Sequence, residues 1–227
     1  MKIIRLILLI GTVVVMLCSC LEKKQSEYKS KVINENRLVL FKTVCKFDDL
    51  SAQFNLDLMV KRFKRKIELN DSCIVQLIIS NKADNIGMDT ITIGSNFYYD
   101  VVFKDCKQIV SYTKKGNKLE GMDNYYGDII IADFNFDKKE DVAIINDSGG
   151  NGGLFYSYFL QQRNGKFLIN SFLTDSIIYF PTEINIKNKT LVTYVHAGAC
   201  GIAKHVYHLI KADWIEKSHT IINTCKN

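Results

Sequence analysis

From Arg37 onward the chain is written in short apolar runs that often alternate with polar residues. The clearest is 54–60, where Phe54, Leu56, Leu58 and Val60 alternate with Asn55, Asp57 and Met59. That period of two predicts a half-buried strand. Strands are also expected over 37–45, 73–80, 90–93, 98–103, 127–132, 142–145, 155–161, 166–171, 190–196 and 204–211, with Asn, Asp and Gly punctuation between them. Long stretches at a 3.6-residue period are scarce, and a short helix finds room only within 45–70. No motif repeats at a fixed period. The fold class is therefore mainly β: a single β-propeller-like or β-sandwich domain over 37–227.

The N-terminus follows another pattern. Lys2 and Arg5 precede an uncharged apolar run over 6–17. Such a run is too short for a membrane-spanning helix, which needs about 20 residues, but suits the apolar core of a secretory signal. The next residues, Leu17-Cys18-Ser19-Cys20, resemble the lipobox of bacterial lipoproteins. That resemblance implies removal of residues 1–19, lipidation of the Cys20 thiol and acylation of its new amine. More than one acyl chain makes membrane anchoring stable. Residues 20–36 are polar and charged, the composition of a flexible tether. The expected location is the bacterial cell envelope, at the outer membrane.

Charge changes the picture little. The 227 residues include 30 Lys and Arg against 24 Asp and Glu. Cleavage before Cys20 would leave 28 and 24, a net charge of +4 on 208 residues. This mild balance gives no reason to expect nucleic acid as a partner. The basic cluster at 61–66 (KRFKRK) reads as a solvated turn. Five cysteines remain beyond Cys20: Cys45, Cys73, Cys106, Cys200 and Cys225. An odd number allows two disulfides at most in an oxidising compartment, with no connectivity fixed by spacing.

The sharpest local signal is Asp133-Phe134-Asn135-Phe136-Asp137-Lys138-Lys139-Glu140-Asp141. Asp133, Asn135, Asp137 and Asp141 place side-chain oxygens at positions 1, 3, 5 and 9, and Lys139 at position 7 offers its backbone carbonyl. Ca2+ takes six to eight hard oxygen ligands in a flexible shell. An EF-hand would need glycine at position 6 and glutamate at position 12, where Lys138 and Ile144 stand. With strand-like flanks, this is a strand-loop-strand calcium site.

The loop resembles those of FG-GAP and related propeller-type repeats. The resemblance continues through 142–145, the segment Asn146-Asp147-Ser148-Gly149-Gly150-Asn151-Gly152-Gly153, the run Phe155-Tyr156-Ser157-Tyr158-Phe159, and the Gly165-Lys166-Phe167 turn. This order is similar to a family of calcium-loop periplasmic and outer-membrane lipoproteins whose best understood members are immunity proteins against lysozyme-like effectors. It implies a binding role in which Ser148, Gly149, Gly150, Asn151, Gly152 and Gly153 form a slim loop that enters a partner's cleft. The ion is expected to fix the base of that loop.

His196, Cys200, His205 and His208 fall within thirteen residues, but match no compact zinc motif. On a strand, His205 and His208 would point to opposite faces. No nucleophile elbow, HExxH, P-loop or dinucleotide fingerprint is present. The expectation is a non-enzymatic binding module, membrane-attached through its lipid and directed at a lysozyme-like protein. The alternatives are a glycan-active enzyme and a surface adhesion or glycan-binding lipoprotein.

Overall fold

The computed structural model describes residues 39–63, 71–98, 102–112, 126–149, 153–177 and 179–225. The leader, Cys20 and the tether lie outside them. The compact unit spans Leu38–Asn227.

Three sheets follow one another along the chain. The first is a meander of β1 (Val39–Phe47), β2 (Phe54–Phe63), β3 (Asp71–Asn81) and β4 (Gly87–Tyr98). The second orders β5 (Ile109–Ser111), β6 (Ile129–Ala132), β7 (Asp141–Gly149), β8 (Gly153–Gln161) and β9 (Phe167–Ile169). Only the β5–β6 pair in it is parallel. The third is again a meander, of β10 (Glu183–Asn185), β11 (Thr190–His196), β12 (Gly201–Ile210) and β13 (Asp213–Asn223). A five-residue helix, α1 (Ser171–Asp175), joins the last two sheets. The protein is mainly β, and its sheets do not close into a barrel.

The alternation in β2 sets what it buries. Phe54, Leu56, Leu58 and Val60 face the core. The same period carries Arg62 inward, where it is 1% exposed and donates to the Val102 carbonyl at 2.8 Å. The expected solvated turn at 61–66 is corrected over its described part: residues 61–63 continue the strand, with Lys61 exposed and Arg62 carried inside by the register, while 64–66 lie outside the described residues. By contrast, the uninterrupted apolar run Ile129-Ile130-Ile131-Ala132 is buried throughout because β6 is covered on both faces.

The core is one cluster shared by all three sheets. Phe54 meets Phe167 edge-on, joining the first sheet to the second. Phe180 packs against Tyr126, Phe134 and Tyr156, joining the second to the third. Phe172 on α1 stacks on Trp214 of β13.

Two disulfides form, Cys45–Cys106 and Cys200–Cys225, while Cys73 is a buried thiol. Two is the maximum that the five cysteines beyond Cys20 allow. The first links β1 to the 3-10 turn Cys106–Gln108 across 61 residues. Its chain-entropy contribution is about 4 kcal/mol.

Candidate calcium loop and glycine hairpin

The acidic loop connects β6 to β7, so its flanks are strands. Asp133 opens it by accepting from the Asp137 amide at 3.1 Å and the Lys138 amide at 2.9 Å. Asn135 accepts from Asp137 N at 3.2 Å, and Asp137 accepts from Lys139 N at 2.9 Å. These bonds curl the chain tightly enough to put Phe136 and Lys138 at φ of 60° and 70°. Lys138 thus adopts the left-handed conformation for which glycine is best suited.

Even-numbered residues hold the loop in place. Phe134 is fully buried and meets Tyr158 edge-on at 5.0 Å. Phe136 packs on Trp214 at 5.9 Å. Glu140, which the oxygen pattern passes over, is 6% exposed and reaches into the β1–β2 turn. It accepts from Ser51 Oγ, from Ala52 N at 2.9 Å and from Gln53 N at 3.2 Å. Gln53 Nε2 returns a bond to the Lys138 carbonyl at 3.1 Å. Glu140 is therefore a strut between the first two sheets. Buried donors left without an acceptor cost about 1–3 kcal/mol, so Glu140→Ala is expected to lower stability by about 3 kcal/mol in urea unfolding, with Glu140→Gln intermediate.

Asp141 closes the loop from inside. Its Oδ2 accepts from Phe134 N at 2.9 Å and its Oδ1 from Gln161 N at 2.8 Å. Burial pushes its carboxyl up to about 8, and the nearby Asp133 and Asp137 add to the rise. Asp133 is raised as well, again chiefly by burial. Asp133, Asn135, Asp137 and Asp141 carry oxygens, the ligand type that hard divalent cations take, and burial penalises the charge of two of the carboxyls. The Lys139 ammonium lies 3.2 Å from Asp137 Oδ2. Among the described residues, no three His, Cys, Asp or Glu side chains converge into a group that could hold a metal ion.

A cleft of about 200 Å³ opens beside the loop, lined in part by Gln53, Tyr112, Asp133, Lys138, Glu140 and Ile186. Both oxygens of Asp133 accept from backbone amides, and Glu140 is committed to the β1–β2 turn.

The glycine segment caps the β7–β8 hairpin. Ser148 pairs with Leu154 and Gly149 with Gly153, while Gly150, Asn151 and Gly152 lie outside the described residues. The ladder shifts register between Ile145 and Asp147. β6 pairs with β7 only over Asp141–Ile144, and β9 with β8 only over Phe159–Gln161. Among the described residues, β7 and β8 beyond the bulge pair as strands with each other. The expectation that the acidic loop fixes the base of the glycine loop is corrected here. The two lie at opposite ends of β7, and at about 3.3 Å per residue Asp141 and Ser148 are roughly 23 Å apart.

The histidine cluster separates. Cys200 is bonded to Cys225, and His205 stacks on His219. His208 pairs with Ile215, one strand position out of phase with His205.

No protein-family model matches the chain. No curated protein matches it. A solved structure that is similar is described as "Structure of a Xanthomonas Type IV Secretion System related protein". It is 15% identical, with a TM-score of 0.49, and the match covers 82% of this chain and 90% of that one.

Proposed function

We propose that this chain is an envelope lipoprotein, anchored through Cys20, that acts as a calcium-stabilised binding module and inhibits a lysozyme-like enzyme. The observation that carries the reading is the two-stranded arm at the end of the β7–β8 hairpin. Its last pairs are Ser148 with Leu154 and Gly149 with Gly153, and a glycine-rich tip presents little side-chain bulk, so its backbone can approach a partner closely. Pairing with each other pre-orders the two strands and lowers the entropy cost of docking. Two disulfides suit an extracytoplasmic compartment.

Ca2+ would be held by Asp133, Asn135, Asp137 and Asp141 with the Lys139 carbonyl. It would supply the positive charge that lets these carboxylates remain ionised together. With the acidic loop at the far end of β7, the ion would stabilise the domain core and leave the arm's own shape to strand pairing.

The cleft beside Asp133 favours a second reading, an enzyme acting on envelope glycans. Against it, both acidic side chains lining the cleft are engaged in holding the backbone, and about 200 Å³ is smaller than the roughly 300–1,000 Å³ of ordinary ligand pockets.

The test is the loss of turbidity of cell walls under a panel of muramidases, including any encoded beside this protein's gene. Micromolar full chain is expected to slow at least one of them. Gly150→Trp is expected to weaken that inhibition at least tenfold with little change in melting temperature. A panel in which no enzyme is slowed would remove the inhibitor reading. Wall cleavage by the chain itself would establish the second.

A further inference from the structure

We infer that His205 and His219 form a two-donor site for zinc on the β12–β13 hairpin, separate from the acidic loop. The two residues are directly opposed across the strand pair. Their rings lie 4.5 Å apart, centroid to centroid, and 9° from parallel. Imidazole nitrogens bind zinc at about 2.0–2.1 Å, so two rings on one tetrahedral ion have centroids about 5 Å apart. The observed spacing is already close to that. Two stacked, near-parallel ring planes cannot both contain one ion, so binding requires the exposed His219 ring to turn out of its stack on His205.

Glu216 supplies the second half of the argument. Its Oε1 lies 2.8 Å from His205 Nδ1. A carboxylate there can only accept, so the neutral ring that faces it carries its proton on Nδ1 and its lone pair on Nε2. This is the arrangement in which metal-bound histidines are commonly oriented by an outer carboxylate. On the other side of His205, Tyr207 stacks at 6.1 Å and limits ring rotation. Lys204 is on the opposite face, over the Tyr194 ring, so it places no ammonium beside the pair. The His205 side chain is 17% exposed and His219 is exposed, which leaves room for water to complete the coordination.

Zinc chloride titrated into the full chain, with calcium saturating so that the acidic loop does not compete, tests the assignment. Calorimetry is expected to show one zinc per chain at micromolar metal, with the imidazole resonances of His205 and His219 shifting together. His219→Ala is expected to weaken binding at least tenfold. Glu216→Gln is expected to weaken it severalfold by releasing the tautomer, and His208→Ala, on the other face, to leave it unchanged. His219→Gln gives the same loss should the alanine variant melt early without metal. The assignment is overturned if the wild-type chain takes up no zinc. It is equally overturned if the His219 variants bind zinc as the wild type does.

Discussion

Phe134→Ala is expected to destabilise the protein by about 4 kcal/mol, the range for emptying a buried aromatic site. Phe134 is a loop residue by sequence, the second position of the acidic loop, yet its ring is fully buried. It meets Tyr158 and Phe180 edge-on, at 5.0 and 5.9 Å. Neither neighbour can move easily into the void. Tyr158 is fixed in β8, and Phe180 also packs on Tyr126 and Tyr156. Its backbone amide donates to Asp141, so the cavity would also loosen the residue that closes the loop. Phe136→Ala makes a useful contrast, since Phe136 is 7% exposed and its contact is with the partly buried Trp214. Urea unfolding should show the midpoint falling far more for Phe134→Ala than for Phe136→Ala, at unchanged slope. Equal and small losses would mean that the loop is not anchored through the core.

That anchoring was only half legible in the sequence. The alternation at 54–60 gave β2 its core face, and 190–196 coincides with β11. Apolar runs on both flanks place the acidic loop between strands. Of the strand expected over 98–103, Tyr98 ends β4, residues 102 and 103 lie in a turn, and 99–101 lie outside the described residues. Among the described residues of 45–70 there is no helix. The α-helix among the described residues, α1, begins at Ser171, where the sequence predicts the end of a strand over 166–171. Asn170 accepts from Leu173 N at 2.9 Å and starts a helix too short to show a period.

β13 carries no alternating signal for a different reason. It is an edge strand, exposed along nearly its whole length, so Asp213–Asn223 carries no alternation imposed by a core. Its hairpin turn is Lys211-Ala212, both at positive φ, where glycine or asparagine would ordinarily announce it. Arg62 and Glu140 illustrate the complementary limit. Charged residues are mostly exposed, and only the strand register and a partner turn far away in sequence reveal these two as buried. The spacing of oxygens along 133–141 likewise identifies a chemistry. It says nothing of Glu140's tie to residues 51–53 or of the distance to the glycine tip.

The largest effect after the loss of Phe134 is expected from removing calcium, and it bears on the central claim that the 133–141 loop is a calcium site stabilising this fold. A ligand that binds only the folded state adds about 4 kcal/mol at a thousandfold excess over its dissociation constant. Without a cation, burial and neighbouring carboxylates hold the Asp141 carboxyl up to about 8, so at neutral pH the loop carries a penalty that Ca2+ would relieve. The ammonium of Lys139 on Asp137 offsets only part of the negative charge. Asp137 is exposed, and its replacement removes a donor without opening the core. The decisive measurement is thermal melting of the full chain in millimolar calcium and in excess chelator, for the wild type and for Asp137→Ala. The account predicts a melting temperature several degrees lower in chelator, restored by calcium and not by magnesium, with most of that response absent from Asp137→Ala. Superimposable wild-type curves with and without chelator would contradict it.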